Sequence, residues 1–262
     1  MKIVVITGST SGIGYGLADS FLTLGCSVVI SSRHQDRVDQ ATSTLIKKYE
    51  ASRIFPLVCD VSDYHQIQVL WDATKKHFEK VDIWINNAGM AHPETKFQHF
   101  TPEKVKEVID TNIVGAMNGS TVALRGMLEQ GYGAIYNMEG LGSDGRVING
   151  MALYGTTKSA VGYLTKAISR ETRGRGILVG GLRPGMVNTR LITEQYEGYP
   201  EEWERVKGIF NILSDRVETV TPWLAKKILT NKKNGITIAW LNQWRLIGRF
   251  ITAPFHKRHI YD

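Results

Sequence analysis

The sequence predicts an α/β fold: a doubly wound parallel sheet of about seven strands, in one domain spanning residues 1–262. Three observations predict it. Short runs rich in β-branched apolar residues alternate, almost without exception, with segments of helical period. The first run, residues 3–6, passes through a glycine-rich turn (Gly8, Gly12, Gly14) straight into a helical pattern. No linker, internal repeat or low-complexity segment interrupts the series. Repeated β-α-β units imply right-handed crossovers, and hence parallel strands.

The elements follow in order. After the strand at 3–6, Leu17, Phe21 and Leu24 recur at spacings of four and three, which marks a helix. Residues 27–31 read as a second strand, 35–50 as a helix and 53–58 as a third strand. The helix expected over 64–79 carries Ile67, Leu70, Trp71 and Phe78 on one face, and a fourth strand is expected over 81–85. Thr101 followed by Pro102 starts a helix, a capping hydroxyl and then a proline at the first turn, which continues with a bend to about residue 130. A fifth strand over 134–138, a long helix over 151–172, and strands over 176–182 and 236–240 complete the set.

Composition narrows the function classes. Hydrophobic residues make up 42% and charged residues 22%, ordinary for a globular protein, and no apolar run is long enough to span a membrane. The first strand begins near Lys2, which argues against a signal or transit peptide. Cys26 and Cys59 lie in or beside strands and are expected to be free buried thiols, so a cytoplasmic protein is expected. The net charge of +7 is confined to the end. From Lys226 onward there are eight Lys/Arg and one acid, Asp262, while the preceding residues balance. That distribution argues against a nucleic-acid cleft. No metal site is expected.

In a sheet of this kind the ligand lies beyond the C-terminal strand ends. The glycine turn can aim backbone N–H groups and a helix N-terminus at an anion such as a dinucleotide pyrophosphate, although a purely structural turn looks the same. Gly8 permits the turn, Gly12 admits the phosphates and Gly14 lets the helix lie near the strand. After the second strand, Ser31-Ser32-Arg33 offers hydroxyls and a guanidinium and no acid, which favours a 2′-phosphate, and so NADP(H) in preference to NAD(H). Asp60 can accept from an adenine amino group, and Asn86-Asn87-Ala88-Gly89 suits close backbone approach. Tyr154 and Lys158 stand one turn apart on one helix face, so an ammonium can lower the pKa of a phenol that is otherwise a poor acid.

As an ordered set, the Gly8–Gly14 turn, Asp60, Asn86-Asn-Ala-Gly89, Asn112, Tyr154-Gly-Thr-Thr-Lys158 and Arg183-Pro-Gly185 resemble the short-chain dehydrogenases/reductases from residue 2 to about 190. The resemblance implies a Rossmann-type fold and hydride transfer between a nicotinamide and a carbonyl or alcohol carbon. It implies that Tyr154 is the general acid and that Lys158 holds the nicotinamide ribose and tunes the phenol. Asn112 would anchor a water, and Thr189 would meet the carboxamide. The cofactor contacts it implies are Gly8, Thr10, Ser11, Gly12, Ile13, Gly14, Ser32, Arg33, Asp60, Val61, Asn87, Ala88, Gly89, Tyr154, Lys158, Pro184, Gly185, Val187 and Thr189. The family's serine, about thirteen residues before the tyrosine, is missing: Leu141 stands there, and Ser143 is the nearest hydroxyl. Gly140 and Gly142 would let the loop bring Ser143 into that role. The alternatives are another group in its place or loss of catalysis, leaving a non-catalytic NADPH-binding scaffold. Glu139 is a further polar neighbour expected near the substrate. The run Asn137-Met-Glu-Gly-Leu-Gly-Ser143 resembles the chlorophyll b reductase branch, which implies reduction of a C7-formyl group; a lipid, steroid or quinone-like carbonyl is the alternative.

Residues 190–222 interleave Leu191, Tyr196, Tyr199, Trp203, Phe210 and Leu213 with acids, as a helical lid over a bulky apolar substrate would. The tail, 241–262, reads as an amphipathic extension. Trp240, Trp244, Ile247 and Ile251 form one stripe with Asn242, Arg245 and Arg249 opposite, followed by Phe255, Lys257 and Arg258. This suits a helix lying on an anionic membrane, or one docked on the body. The resemblance further implies a homodimer or homotetramer built on the helices near 101–130 and 151–172.

Overall fold

The computed structural model describes residues 1–253, 255 and 258–261, so the tail charges Lys257 and Asp262 lie outside the described residues. In chain order the elements are β1 (Ile3–Ile6), α1 (Gly12–Thr23), β2 (Ser27–Ser32), α2 (Gln35–Ile46), β3 (Ile54–Val58), α3 (Tyr64–Phe78), β4 (Ile83–Asn86), α4 (Pro102–Ile109), α5 (Gly115–Gln130), β5 (Gly133–Met138) and α6 (Ala152–Glu171). Then come β6 (Ile177–Arg183), β7 (Met186–Asn188), α7 (Arg190–Thr193), α8 (Pro200–Leu213), β8 (Ser214–Arg216), α9 (Val217–Thr230), β9 (Thr237–Ala239) and α10 (Gln243–Thr252).

Seven strands form one parallel sheet in the order β3-β2-β1-β4-β5-β6-β9, the doubly wound Rossmann-type arrangement that the sequence predicts. β1 is central. Val4 registers with Val28 on one side and with Ile83 on the other. Every residue of β1 is buried, which is why its sequence is continuously apolar rather than alternating. Ile6, Ile30, Ile85 and Leu182 pack with Leu17 and Phe21 of α1 and Leu224 of α9 in one core layer. Val5, Val29, Trp84 and Val179 pack with Leu70 and Trp71 of α3 and Met127 of α5 in the other. Leu24, expected on the α1 apolar face, is instead its exposed C-cap.

Local signals act as read. Asp63 caps α3 by accepting from the His65 and Gln66 N–H groups, and Thr101 caps α4 with Pro102 in its first turn. The bend expected in that long helix is a π turn, Asp110–Val114, between α4 and α5. Cys26 and Cys59 are free and buried. Among the described residues no helix is long and apolar enough to cross a membrane.

Two expectations change. The stretch 190–222 is not all lid, because α9 begins at Val217 and packs on α1, where a Cβ on Gly16 would meet Val217 Cγ1 at 2.3 Å. The tail stripe also divides. α10 starts after Asn242, whose side chain caps it, so Trp240 precedes the helix. Trp240 stacks edge-on against Trp223, with its indole N–H donated to Asp215 at 2.6 Å.

Candidate active site

The C-terminal ends of β1, β4, β5 and β6 converge on one crevice. The turn after β1 can exist only with glycine. Gly8 and Gly12 sit at φ +62° and +54°, in the left-handed region that side chains disfavour. Space is equally restrictive: a Cβ on Gly8 would meet Ala88 Cα at 2.9 Å, and one on Gly14 would meet Gly8 O at 2.3 Å. Asn87 clamps the turn by donating Nδ2–H bonds to Thr7 O and Gly8 O, both 2.9 Å. Thr7 Oγ1 accepts from the Asn87 and Ala88 N–H groups at 3.0 and 3.1 Å. Thr189, at the end of β7, completes the wall, with its methyl 3.2 Å from where a Gly12 Cβ would stand. Ser11 makes no side-chain cap, so the first-turn N–H groups of α1, from Gly12 and Ile13, have no side-chain acceptor. This shallow, donor-lined cradle fits a pyrophosphate.

Along the crevice, Thr10 borders the turn and is half-buried. Arg33 is exposed beyond β2, with its Nε–H donated to His34 Nε2 at 3.2 Å, and Ser32 is half-buried before it. Ser31 Oγ is buried with no hydrogen-bond partner. Asp60 Oδ1 accepts from the Ser62 N–H and hydroxyl at 2.9 and 2.7 Å, and Val61 packs where a Cβ on Gly115 would stand. Gly185 turns at φ +76° after buried Pro184 and lies against Leu241, while Val187 is buried in β7. A nicotinamide dinucleotide fits these polar groups and the close backbone approach that the glycines allow.

At the end of β5 the α6 pair comes together. Lys158 Nζ donates to Met138 O at 3.0 Å and lies 5.7 Å from the Tyr154 ring centroid. Asn112, from the π turn, donates to Thr157 Oγ1 on the same helix at 3.0 Å and brackets Met90 by bonds to its N–H and carbonyl. A Cβ on Gly89 would stand 3.3 Å from Asn112 Oδ1 and 3.5 Å from Lys158 Nζ. Burial sets the electrostatics. It pushes Tyr154 up to about 12, and it pushes Lys158 down to about 8 against an upward pull from Glu139. The expected lowering of the phenol by its lysine does not occur; desolvation raises it instead.

Ser143 is the predicted residue that this arrangement does not turn toward Tyr154. Its hydroxyl is buried and donates to Gly140 O at 2.6 Å, and its Cβ packs on Gly162, two turns beyond Tyr154. The position facing the phenol is Gly140, where a Cβ would stand 2.7 Å from Tyr154 Oη. Counting back from Tyr154 misses this; counting forward from Asn137, fixed at the strand end, finds it. Glu139 is buried beside it and paired with Arg183 at 2.8 Å, and Arg183 also lies 3.6 Å from Asp144. His92 escaped the sequence reading altogether. Its Nε2 accepts the Tyr154 backbone N–H at 3.1 Å, so Nδ1 carries the proton and donates to Pro93 O at 2.7 Å. A neutral imidazole thereby caps the first turn of α6.

The lid elements, α7, a 3-10 turn and α8, gather an aromatic cluster of Tyr196, Trp203 and Phe210. Tyr261 from the tail stacks edge-on against Trp203, with ring centroids 5.1 Å apart.

Comparison with known proteins gives this geometry a context. Residues 2–200 match the short chain dehydrogenase family. Chlorophyll(ide) b reductase NOL, chloroplastic, of Oryza sativa subsp. japonica is 37% identical over 230 residues, covering 86% of this chain and 66% of the rice protein. The chain therefore spans just under two thirds of that relative's length. A 3alpha-hydroxysteroid dehydrogenase of Mediterraneibacter gnavus is 32% identical over 191 residues, 73% of this chain and 76% of that one. The solved structure of ElxO with NADP bound superposes with a TM-score of 0.78 at 25% identity, over 91% of this chain and 97% of its own. The rice relative is chloroplastic, which overturns the expectation of a cytoplasmic protein drawn from the first strand and the two thiols.

Proposed function

The chain belongs to the short-chain dehydrogenase family, and from that premise we propose that it reduces the carbonyl of a bulky apolar aldehyde or ketone with NADPH. The substrate we assign is a chlorophyll b-type formyl group, taken to hydroxymethyl. One observation carries the reading: Tyr154 and Lys158 lie side by side at the end of β5, and the position facing the phenol is a glycine, Gly140. The rice reductase relative supports the substrate assignment.

When bound, NADPH supplies the hydride. Tyr154 gives its phenolic proton to the carbonyl oxygen, and its raised pKa of about 12 keeps that proton in place at neutral pH. Lys158 is charged below about 8 and stabilises the phenolate left behind. Asn112 and His92 hold the π turn and the first turn of α6 against each other and against the loop after β4, and so fix where the phenol points. With no side chain at Gly140, a carbonyl carried on a large ring system can approach Tyr154 without meeting a Cβ. The glycine turn and the α1 N-terminus hold the pyrophosphate, Ser32 and Arg33 the 2′-phosphate, and Asp60 the adenine. We read residues 1–262 as one such domain, working as a homodimer or homotetramer.

A steroid, lipid or quinone-like carbonyl is the second reading, supported by the hydroxysteroid dehydrogenase relative. NADPH oxidation with chlorophyll b and with a steroid ketone separates the two, and oxidation with neither leaves the non-catalytic scaffold. Tyr154→Phe is expected to cut turnover at least about 100-fold while NADPH affinity stays within about twofold. Unchanged turnover refutes the assignment of the acid.

A further inference from the structure

The tail helix α10 is built inside out. Arg249 faces the protein, Arg245 lies along Trp240 and stays exposed, and most of the large apolar side chains face solvent. Arg249 is only 14% exposed; its guanidinium donates to Leu213 O at 2.6 Å and pairs with Asp215. Arg245 lies 3.9 Å over the Trp240 ring and donates to Trp240 O at 3.0 Å. On the outer side Trp244 is 82% exposed, Ile247 50% and Ile251 65%, spaced three and four apart and therefore on one stripe. Phe250 and Phe255 flank it, Phe255 at 89%. A helix held at a protein surface ordinarily turns its apolar face inward. Here the inward face is held instead by ion pairs and a cation–π contact. Ile209 of α8, the helix packed against α10, is also exposed.

We propose that this face is a docking surface for an anionic lipid bilayer, entered side-on to the depth of its side chains. The shape favours a fluid phase: residues as exposed as Trp244 and Phe255 stand proud of the surface and line no groove, so a rigid partner would need a matching concavity for each. The residue types agree, since tryptophan and phenylalanine on a short helix suit the boundary between headgroups and acyl chains. Ten residues are too few to cross. The charge is complementary at the helix itself: Arg245 is exposed, and Lys227 of α9 is exposed beside it, both cations lying over the Trp223 ring.

The test is flotation of the full chain with vesicles of phosphatidylcholine containing phosphatidylglycerol, against phosphatidylcholine alone, at low and high salt. The protein is expected to float with the anionic vesicles, less so at high salt. The double variant Trp244→Ser with Phe255→Ser is expected to lose about tenfold or more in partitioning. Both side chains are exposed, so its thermal melting by circular dichroism should match the parent. No flotation, or equal partitioning of parent and variant, overturns the proposal. So does a concentration-dependent dimer that the variant loses, since the face then lies between copies of the chain. None of these readouts needs turnover, so they fail or succeed independently of the reductase reading.

Discussion

At Lys158 the fold and the chemistry pull in opposite directions. An ammonium 5% exposed is held at a pKa of about 8, against 10.5 for the free group. Between those values the unfolded chain binds more protons than the folded one, so stability rises with pH across that window and is lost again as pH falls. Tyr154 acts the other way between 10 and about 12, where the unfolded phenol ionises first and stability declines. The urea midpoint is therefore expected to climb from pH 8 toward pH 10, by an amount worth on the order of 2–3 kcal/mol. Lys158→Met, which cannot titrate, should flatten the climb; an equal climb in the variant would place its origin elsewhere. Arg33 offers a second prediction. Arg33→Ala is expected to weaken NADPH by tenfold or more, about the worth of one charge-assisted pair, and to leave NADH nearly unchanged, as read by titration calorimetry. Equal losses for both cofactors would refute the 2′-phosphate contact. Tyr154, Lys158 and Asn112 were legible because helical spacing and motif order specify them. His92 was not, because its role depends on a loop from β4 folding back onto an α6 N-terminus 62 residues later.

Among the elements, alternation of strand and helix was readable because each β-α-β unit writes its own local pattern. The sequence-predicted strands at 27–31, 53–58, 134–138 and 176–182 match β2, β3, β5 and β6 to within a residue. The sequence pattern ends the helical lid at 222 and marks no element over 223–230, whereas α9 runs through Pro222 from Val217 to Thr230. What holds α9 in place is tertiary: Thr221 and Val217 fill the space opened by Gly16, across a separation that no local pattern encodes. The tail helix is likewise decided by a distant group. Asp215, at the lid's end, is 7% exposed and binds Arg249, Arg258 and the Trp240 indole. Burial alone would raise its pKa, and those three donors hold it below the usual carboxylate value. Asp215→Asn removes the charge and leaves two half-buried guanidiniums uncompensated. It is expected to destabilise the protein by about 3 kcal/mol and to speed trypsin cleavage after Arg249 and Arg258. Cleavage at the parent rate would show that the tail is held by its aromatic stacking alone.

Across the whole molecule, the neighbouring strands β1, β4 and β5 each contribute one part of the site, so the division of labour follows the sheet order. The glycine cradle comes from β1 and α1, the Asn87 clamp from β4, and the Tyr154–Lys158 pair from the β5–α6 unit. The tail, which composition marked only as basic, joins this body through Asp215 and through Tyr261 against the lid. The central pairing also has a temporal consequence. β1 meets β4 with Thr7 and Asn87 hydrogen-bonded across 80 residues of chain, and β9 closes the sheet edge last in sequence. Such non-local parallel pairings form slowly, because the loops between them must close before any contact rewards the loss of chain entropy. The nucleotide cradle is wedged against Ala88 and Asn87, so it has no finished shape until β4 has docked. During synthesis the chain is therefore unable to recruit its nucleotide as an early folding template, and the window in which its apolar strands stay unpaired extends at least until that docking.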